Sequence, residues 1–126
     1  MVHIKNTNFI VDDFRFSKRN KLFNNYIYFL SHMHGDHYRG IHNGFDNGKI
    51  LCSWETGILL GEKFSGVKNL IISIEYNKPY KIYMNEKKTK FCTIVFLDAN
   101  HIIGSSMIFF SGYFGNVLYS GDLRFH

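Results

Sequence analysis

Apolar residues in this chain fall in short runs separated by turn chemistry, not in long helical stripes. Phe9-Ile10-Val11, Tyr26-Ile27-Tyr28-Phe29-Leu30, Ile50-Leu51-Cys52 and Leu70-Ile71-Ile72-Ser73-Ile74 read as strands. Tyr80-Lys81-Ile82-Tyr83 and the β-branched, aromatic run Phe91 to Leu97 flank a hairpin tip at Asn85-Glu86-Lys87-Lys88. Ser106 to Phe110 and Asn116 to Tyr119 predict two more strands, with a turn bracketed by Gly112 and Gly115. One helix is expected from about Trp54 to Phe64, capped by Ser53, ended by Gly66, with Ile58, Leu59 and Phe64 on one face. A second is expected to begin at Tyr38-Arg39-Gly40-Ile41, with Asp36 near its N-terminus.

The strand Tyr26–Leu30 carries no charge and runs straight into Ser31-His32-Met33-His34-Gly35-Asp36-His37. Imidazole and carboxylate are good ligands for zinc and related ions. His32 and His34 alternate, so an extended loop points both to one side. Asp36 and His37 follow closely enough to hold a second ion. A two-metal loop suits hydrolysis, because paired ions activate water and stabilise the leaving oxygen. A compositional His tract is the competing explanation, but histidine is sparse elsewhere and this cluster follows a core strand. Two later strands also end in metal-type residues, at Asp98-Ala99-Asn100-His101 and Ser120-Gly121-Asp122. Phe9-Ile10-Val11 ends in Asp12-Asp13, either suited to hydrogen-bonding a metal-bound histidine, with a solvated turn the equal alternative.

The totals change the picture only in part. The 126 residues suffice for one small domain, and 45% apolar content supports a core. The formal charge of +5 allows an anionic partner, nucleic acid among them. Arg15, Lys18 and Arg19 are the candidate nucleic-acid contacts, although such a run is more often a solvated face. Cys52 and Cys92 sit in strand-like runs and read as reduced core thiols. No run reaches the length of a membrane span, and the N-terminus lacks a signal-peptide core, so no membrane partner is expected.

The His32-x-His34-x-Asp36-His37 pattern resembles the signature of the metallo-β-lactamase fold. Val11-Asp12-Asp13-Phe14, Tyr28 to His32, Cys52-Ser53, Leu97-Asp98-Ala99-Asn100-His101 and Gly112 to Arg124 resemble more narrowly the β-CASP DNA cross-link repair nucleases, the Artemis and Apollo family. Gly112-Tyr113-Phe114-Gly115 is most similar to the Apollo members. The resemblance implies an α/β fold class, an αββα sandwich, mostly β with flanking helices, of which residues 1–126 are the N-terminal half, the rest of the domain and the β-CASP insert lying outside. It implies two zinc sites: His32, His34 and His101 on one, Asp36 and His37 on the other, Asp122 between. The second site would still need a histidine from beyond His126. Asp12 would stand behind the ligands, and Asp36 and Asp122 would be the catalytic carboxylates. The implied enzyme is a nuclear 5′→3′ DNA exonuclease acting on single strands or 5′ ends in cross-link repair, double-strand break repair or telomere end processing.

Two departures bear on this. Ile102-Ile103 stands where the family has Cys-Pro, and His101-Ile102-Ile103-Gly104-Ser105 leans toward RNA-cleaving relatives in the same branch. Leu123 replaces a usual Phe. The alternatives are thus an RNA-processing β-CASP nuclease, a thioester hydrolase on the same fold, and a non-catalytic module with a relic site.

Overall fold

A computed structural model describes residues 2–15, 26–84, 90–99 and 105–120. Two sheets form. The first has the order β1 (Val2–His3), β2 (Phe9–Val11), β3 (Ile27–Phe29), β4 (Ile50–Ser53), β5 (Ile71–Ile74). β2 through β5 run parallel, and β1 pairs antiparallel with β2. The second is an antiparallel sheet, β6 (Tyr80–Tyr83), β7 (Phe91–Asp98), β8 (Ser106–Gly112), β9 (Gly115–Tyr119). Every sequence-predicted strand is present.

The short strands of the first sheet are apolar on consecutive residues because both of its faces are covered. Phe9, Val11, Phe29 and Leu51 face the second sheet and pack with Cys92, Ile94, Phe96, Ile108 and Phe110. Ile10, Tyr28, Leu30, Ile50 and Cys52 face the other way, toward Leu60, Phe45 and Val67. Phe29 sits edge-on to Phe110 with ring centroids 5.0 Å apart, a favourable aromatic geometry at the centre of the inter-sheet core.

Helix α1 (Trp54–Lys63) links β4 to β5, as a parallel pair requires. Ser53 Oγ accepts from Thr56 N–H at 3.2 Å, the expected cap. Its buried face is not the expected one. Thr56, Gly57, Leu60 and Gly61 face inward, while Ile58 and Leu59 are 57% and 42% exposed. The reason is close approach: a Cβ at Gly57 would lie 3.2 Å from the Ile71 side chain and 3.4 Å from Cys52 Sγ. The glycine stripe lets the helix settle on β4 and β5, and that rotation turns Ile58 and Leu59 outward. The helix ends at Lys63, and Gly66 lies inside a following 3-10 helix, Ser65–Leu70.

The second expected helix does not form. Residues 35–40 make turns, with His37 N–H on the His34 carbonyl and Ile41 N–H on the Tyr38 carbonyl. Gly40 has φ +94°, which a right-handed helix cannot use. The Arg39 carbonyl instead accepts from Phe14 N–H at 2.8 Å, tying this loop to the end of β2. Among the described residues no helix is long and apolar enough to cross a membrane. The hairpin tip at 85–89 lies outside the described residues.

Candidate metal centre

The site is built where β2 and β3, parallel neighbours, end side by side. Asp12 N–H donates to the Phe29 carbonyl at 2.9 Å, one rung beyond the ladder. The backbone then turns at Asp12, φ +56°, a left-handed conformation that Asp tolerates better than most residues. The turn brings a buried carboxylate back over the end of β3. Its Oδ1 accepts from Ser31 N–H at 2.8 Å, and its Oδ2 from Ser31 Oγ at 2.7 Å. Oδ2 also lies 2.7 Å from His37 Nδ1 and accepts from Tyr119 Oη at 2.6 Å.

This network assigns the imidazole protons. A carboxylate only accepts, so His37 carries its proton on Nδ1. Ser31 Oγ–H donates to Asp12, so at 2.9 Å from His32 Nδ1 its oxygen accepts from that nitrogen. Both rings therefore present Nε2 as the lone-pair atom, the arrangement second partners impose on metal-binding histidines.

His32, His34 and His37 each offer a ligand atom, and these lie within 4.8 Å of one another. The His32 and His37 ring centroids are 4.2 Å apart, and His34 stacks on His32 at 5.8 Å with planes 17° from parallel. His32 and His34 do share a side, but through a tight turn, His34 N–H to the His32 carbonyl at 3.0 Å, not through an extended loop. Nitrogens on one tetrahedral zinc stand about 3.4 Å apart, so a contraction of at most about 1.4 Å closes the group on an ion. All-imidazole donors of this kind suit zinc, and the residues fit it.

Asp36 stands outside this group. Its side chain is 68% exposed, 3.2 Å from Arg39 Nη2 and 4.0 Å from His34 Nδ1. Arg15 holds buried Asp13 through Nε at 3.0 Å and Nη2 at 3.1 Å, and its side chain is otherwise exposed. Burial works to raise the Asp13 carboxyl, but the Arg15 hydrogen bonds and charge outweigh it and hold it below the usual carboxylate range. His101, Asp122, Lys18 and Arg19 lie outside the described residues. The backbone on either side of 100–104 is described: Ala99 N–H donates to the Ser105 carbonyl at 3.1 Å, and Ser106 N–H to the Ser31 carbonyl at 2.8 Å. The two flanks of that segment are thus hydrogen-bonded to each other, and Ser106, the residue after Ser105, to the residue preceding His32.

The roles of Ser31 and Tyr119 escaped the sequence reading. Ser31 is adjacent to the histidine motif and had a local signal. Tyr119 reads as an ordinary strand aromatic, and only the β8–β9 register and the stacking of the sheets bring it to Asp12.

Layers of helix, mixed parallel sheet and antiparallel sheet, with a histidine cluster at strand ends, are those of the metallo-β-lactamase sandwich. No protein-family model matches the chain. It is 36% identical over 99 residues to 5′ exonuclease Apollo of Rattus norvegicus, covering 79% of this chain and 18% of that protein. It is 38% identical over 101 residues to DNA cross-link repair protein pso2/snm1 of Schizosaccharomyces pombe, covering 77% and 17%. It is 33% identical over 127 residues to DNA ligase 6 of Arabidopsis thaliana, covering 97% and 8%. The chain therefore spans less than a fifth of the length of each of these relatives.

Proposed function

We propose that this chain, which belongs to the β-CASP DNA cross-link repair nuclease family, carries the metal-binding core of a zinc-dependent DNA phosphodiesterase. The observation that carries the proposal is the three-histidine group held by Asp12 and Ser31. The chemistry zinc supplies when bound is Lewis acidity, which makes water a better nucleophile at neutral pH and stabilises charge on phosphoryl oxygens. His32, His34 and His37 are the residues that hold it. Asp12 and Ser31 fix the imidazole tautomers, so no proton has to leave Nε2 before an ion is taken up. Exposed Asp36, beside His34, is assigned to orient the attacking water.

In this reading His101 joins His32 and His34 on one ion, Asp36 and His37 take a second, and Asp122 lies between the two. Two features support it. Ala99 N–H is bonded to the Ser105 carbonyl and Ser106 N–H to the Ser31 carbonyl, and Tyr119, anchored on Asp12, lies only three residues before Asp122. Three extended residues span at most about 11 Å. Arg15, Lys18 and Arg19 are proposed to meet the phosphate backbone.

DNA is the favoured polymer. Two of the relatives are named for DNA cross-link repair and DNA joining, and a third as a 5′ exonuclease. We accordingly propose 5′→3′ action on single-stranded DNA, and the nucleus as its place. RNA is the second reading, favoured by the segment His101-Ile102-Ile103-Gly104-Ser105.

The test has two parts. The purified chain should bind about one zinc firmly, and His32→Ala should abolish this. The chain spliced in place of the matching 99 residues of rat Apollo should cleave 5′-phosphorylated single-stranded DNA, and a chelator should stop it. Failure of the chain to bind zinc, or chelator-insensitive cleavage, refutes the proposal. Faster cleavage of single-stranded RNA moves it to the second reading.

A further inference from the structure

The Asp12 carboxylate is a polar hub joining the two sheets at the metal centre. Ser31 and His37 reach it from the loop after β3, in the first sheet. Tyr119 reaches it from the last residue of β9, at the edge of the second sheet, across 107 positions of sequence. The Tyr119 ring is half-buried against the inter-sheet core, packed on it with Val117 and Phe114. Its hydroxyl points at the oxygen that also takes His37 Nδ1, at 2.6 and 2.7 Å respectively.

We propose that Tyr119 is a positioning residue of the metal centre, acting through Asp12 Oδ2 to set the orientation and tautomer of His37. This rests on the metal-centre reading above. The argument is geometric. An Asp side chain rotates about two bonds, and Ser31 N–H and Oγ bind one oxygen each, which leaves the tilt of the carboxylate plane to be decided by what else meets Oδ2. Tyr119 approaches from the opposite sheet, so it closes the direction that Ser31 and His37 leave open. With its hydroxyl present, Oδ2 faces both the phenol and the imidazole Nδ1–H. Without it, the carboxylate is held from one sheet only, and the His37 ring follows it. The metal-binding nitrogens then spread over more orientations, and an ion must order them on binding. Partners one step behind a ligand are commonly worth about 10–100-fold in metal affinity. Tyr119 stands one step further back, so the lower end, about 10-fold, is expected.

The experiment compares wild type, Tyr119→Phe, Asp12→Asn and the double variant. Zinc affinity is measured by competition with a chelator, thermal stability in metal-free protein, and the His37 ring nitrogens by NMR chemical shift at pH 8. Tyr119→Phe should weaken zinc binding about 10-fold and shift the His37 nitrogens toward a tautomer average. In the Asp12→Asn background the same change should alter zinc affinity less than two-fold, because the path runs through that carboxylate. Asn suits the left-handed backbone at position 12, so this variant keeps the turn. A merely structural tyrosine would lower thermal stability but leave the His37 shifts unmoved, and that result overturns the proposal. So does an equal loss of affinity in both backgrounds, or a Tyr119→Phe affinity within two-fold of wild type. If wild type itself binds no zinc, the metal-centre reading falls and takes this inference with it. If wild type binds and Tyr119→Phe is indistinguishable, only this inference falls.

Discussion

Replacing Asp12 by Ala removes a buried acceptor that four groups use. Ser31 N–H, Ser31 Oγ, His37 Nδ1 and Tyr119 Oη lie 2.8, 2.7, 2.7 and 2.6 Å from its oxygens. The losses differ. Ser31 N–H is buried, and leaving it without an acceptor costs about 1–3 kcal/mol. His37 can recover by moving its proton to the other nitrogen, and the half-buried Tyr119 hydroxyl can reach water, so each loses less than a full buried bond. Ala must also hold φ +56°, at about 1–2 kcal/mol. Together Asp12→Ala should destabilise metal-free protein by about 3–5 kcal/mol, a large part of a typical total of 5–15. Asp12→Asn keeps the left-handed backbone and an oxygen for Ser31 N–H, and should lose about 1–2 kcal/mol. Urea unfolding of both variants without metal, read by far-ultraviolet circular dichroism, gives the two values. Equal losses for Ala and Asn, or a loss under about 1 kcal/mol for Ala, would refute the claim that this carboxylate locks the strand ends together.

Other consequences are open to direct measurement. Gly40→Ala should cost at least about 2 kcal/mol, since φ is +94° and a Cβ would stand 2.5 Å from the Phe14 carbonyl carbon; a stable variant on urea unfolding would contradict this close approach. Burial pushes the Cys52 thiol up to about 12, so a disulfide reagent at pH 8 should leave it unlabelled until urea unfolds the chain. Rapid labelling of native Cys52 would show that the face under α1 opens. Because Arg15 holds the Asp13 carboxyl below its ordinary range, that pair stabilises the fold above about pH 4 and ceases to do so as pH falls through the lowered value. Melting curves of wild type and Arg15→Gln should therefore differ near neutrality and converge in acid; a gap of constant size would place the effect of Arg15 elsewhere.

Much of this protein is local, and what is local was legible. The strands announce themselves because both faces of a parallel sheet must be apolar, so Ile50-Leu51-Cys52 and its counterparts stand out as unbroken runs. Ser53 declares the start of α1 because a cap acts over three residues. The histidine motif is legible for the same reason: three ligands fall within six residues, and one loop carries them all. What distance in the chain decides was not legible. The inward face of α1 is set by how closely Gly57 and Gly61 let it approach β5, and periodicity of Ile58 and Leu59 pointed the wrong way. The loop after His37 is not helical because Gly40 turns against Phe14, a residue 26 positions earlier.

The site divides along the same line. The sequence by itself determined the donor types, their spacing and the strand that delivers them, since those depend on neighbours. Tertiary structure alone decided which nitrogen of His32 and of His37 holds its proton and what keeps those two rings still. Asp12 meets Ser31, His37 and Tyr119 across 19, 25 and 107 positions, and no local pattern encodes a hydrogen bond between residues so far apart. Such a contact exists only once parallel strands end side by side and the second sheet closes over them.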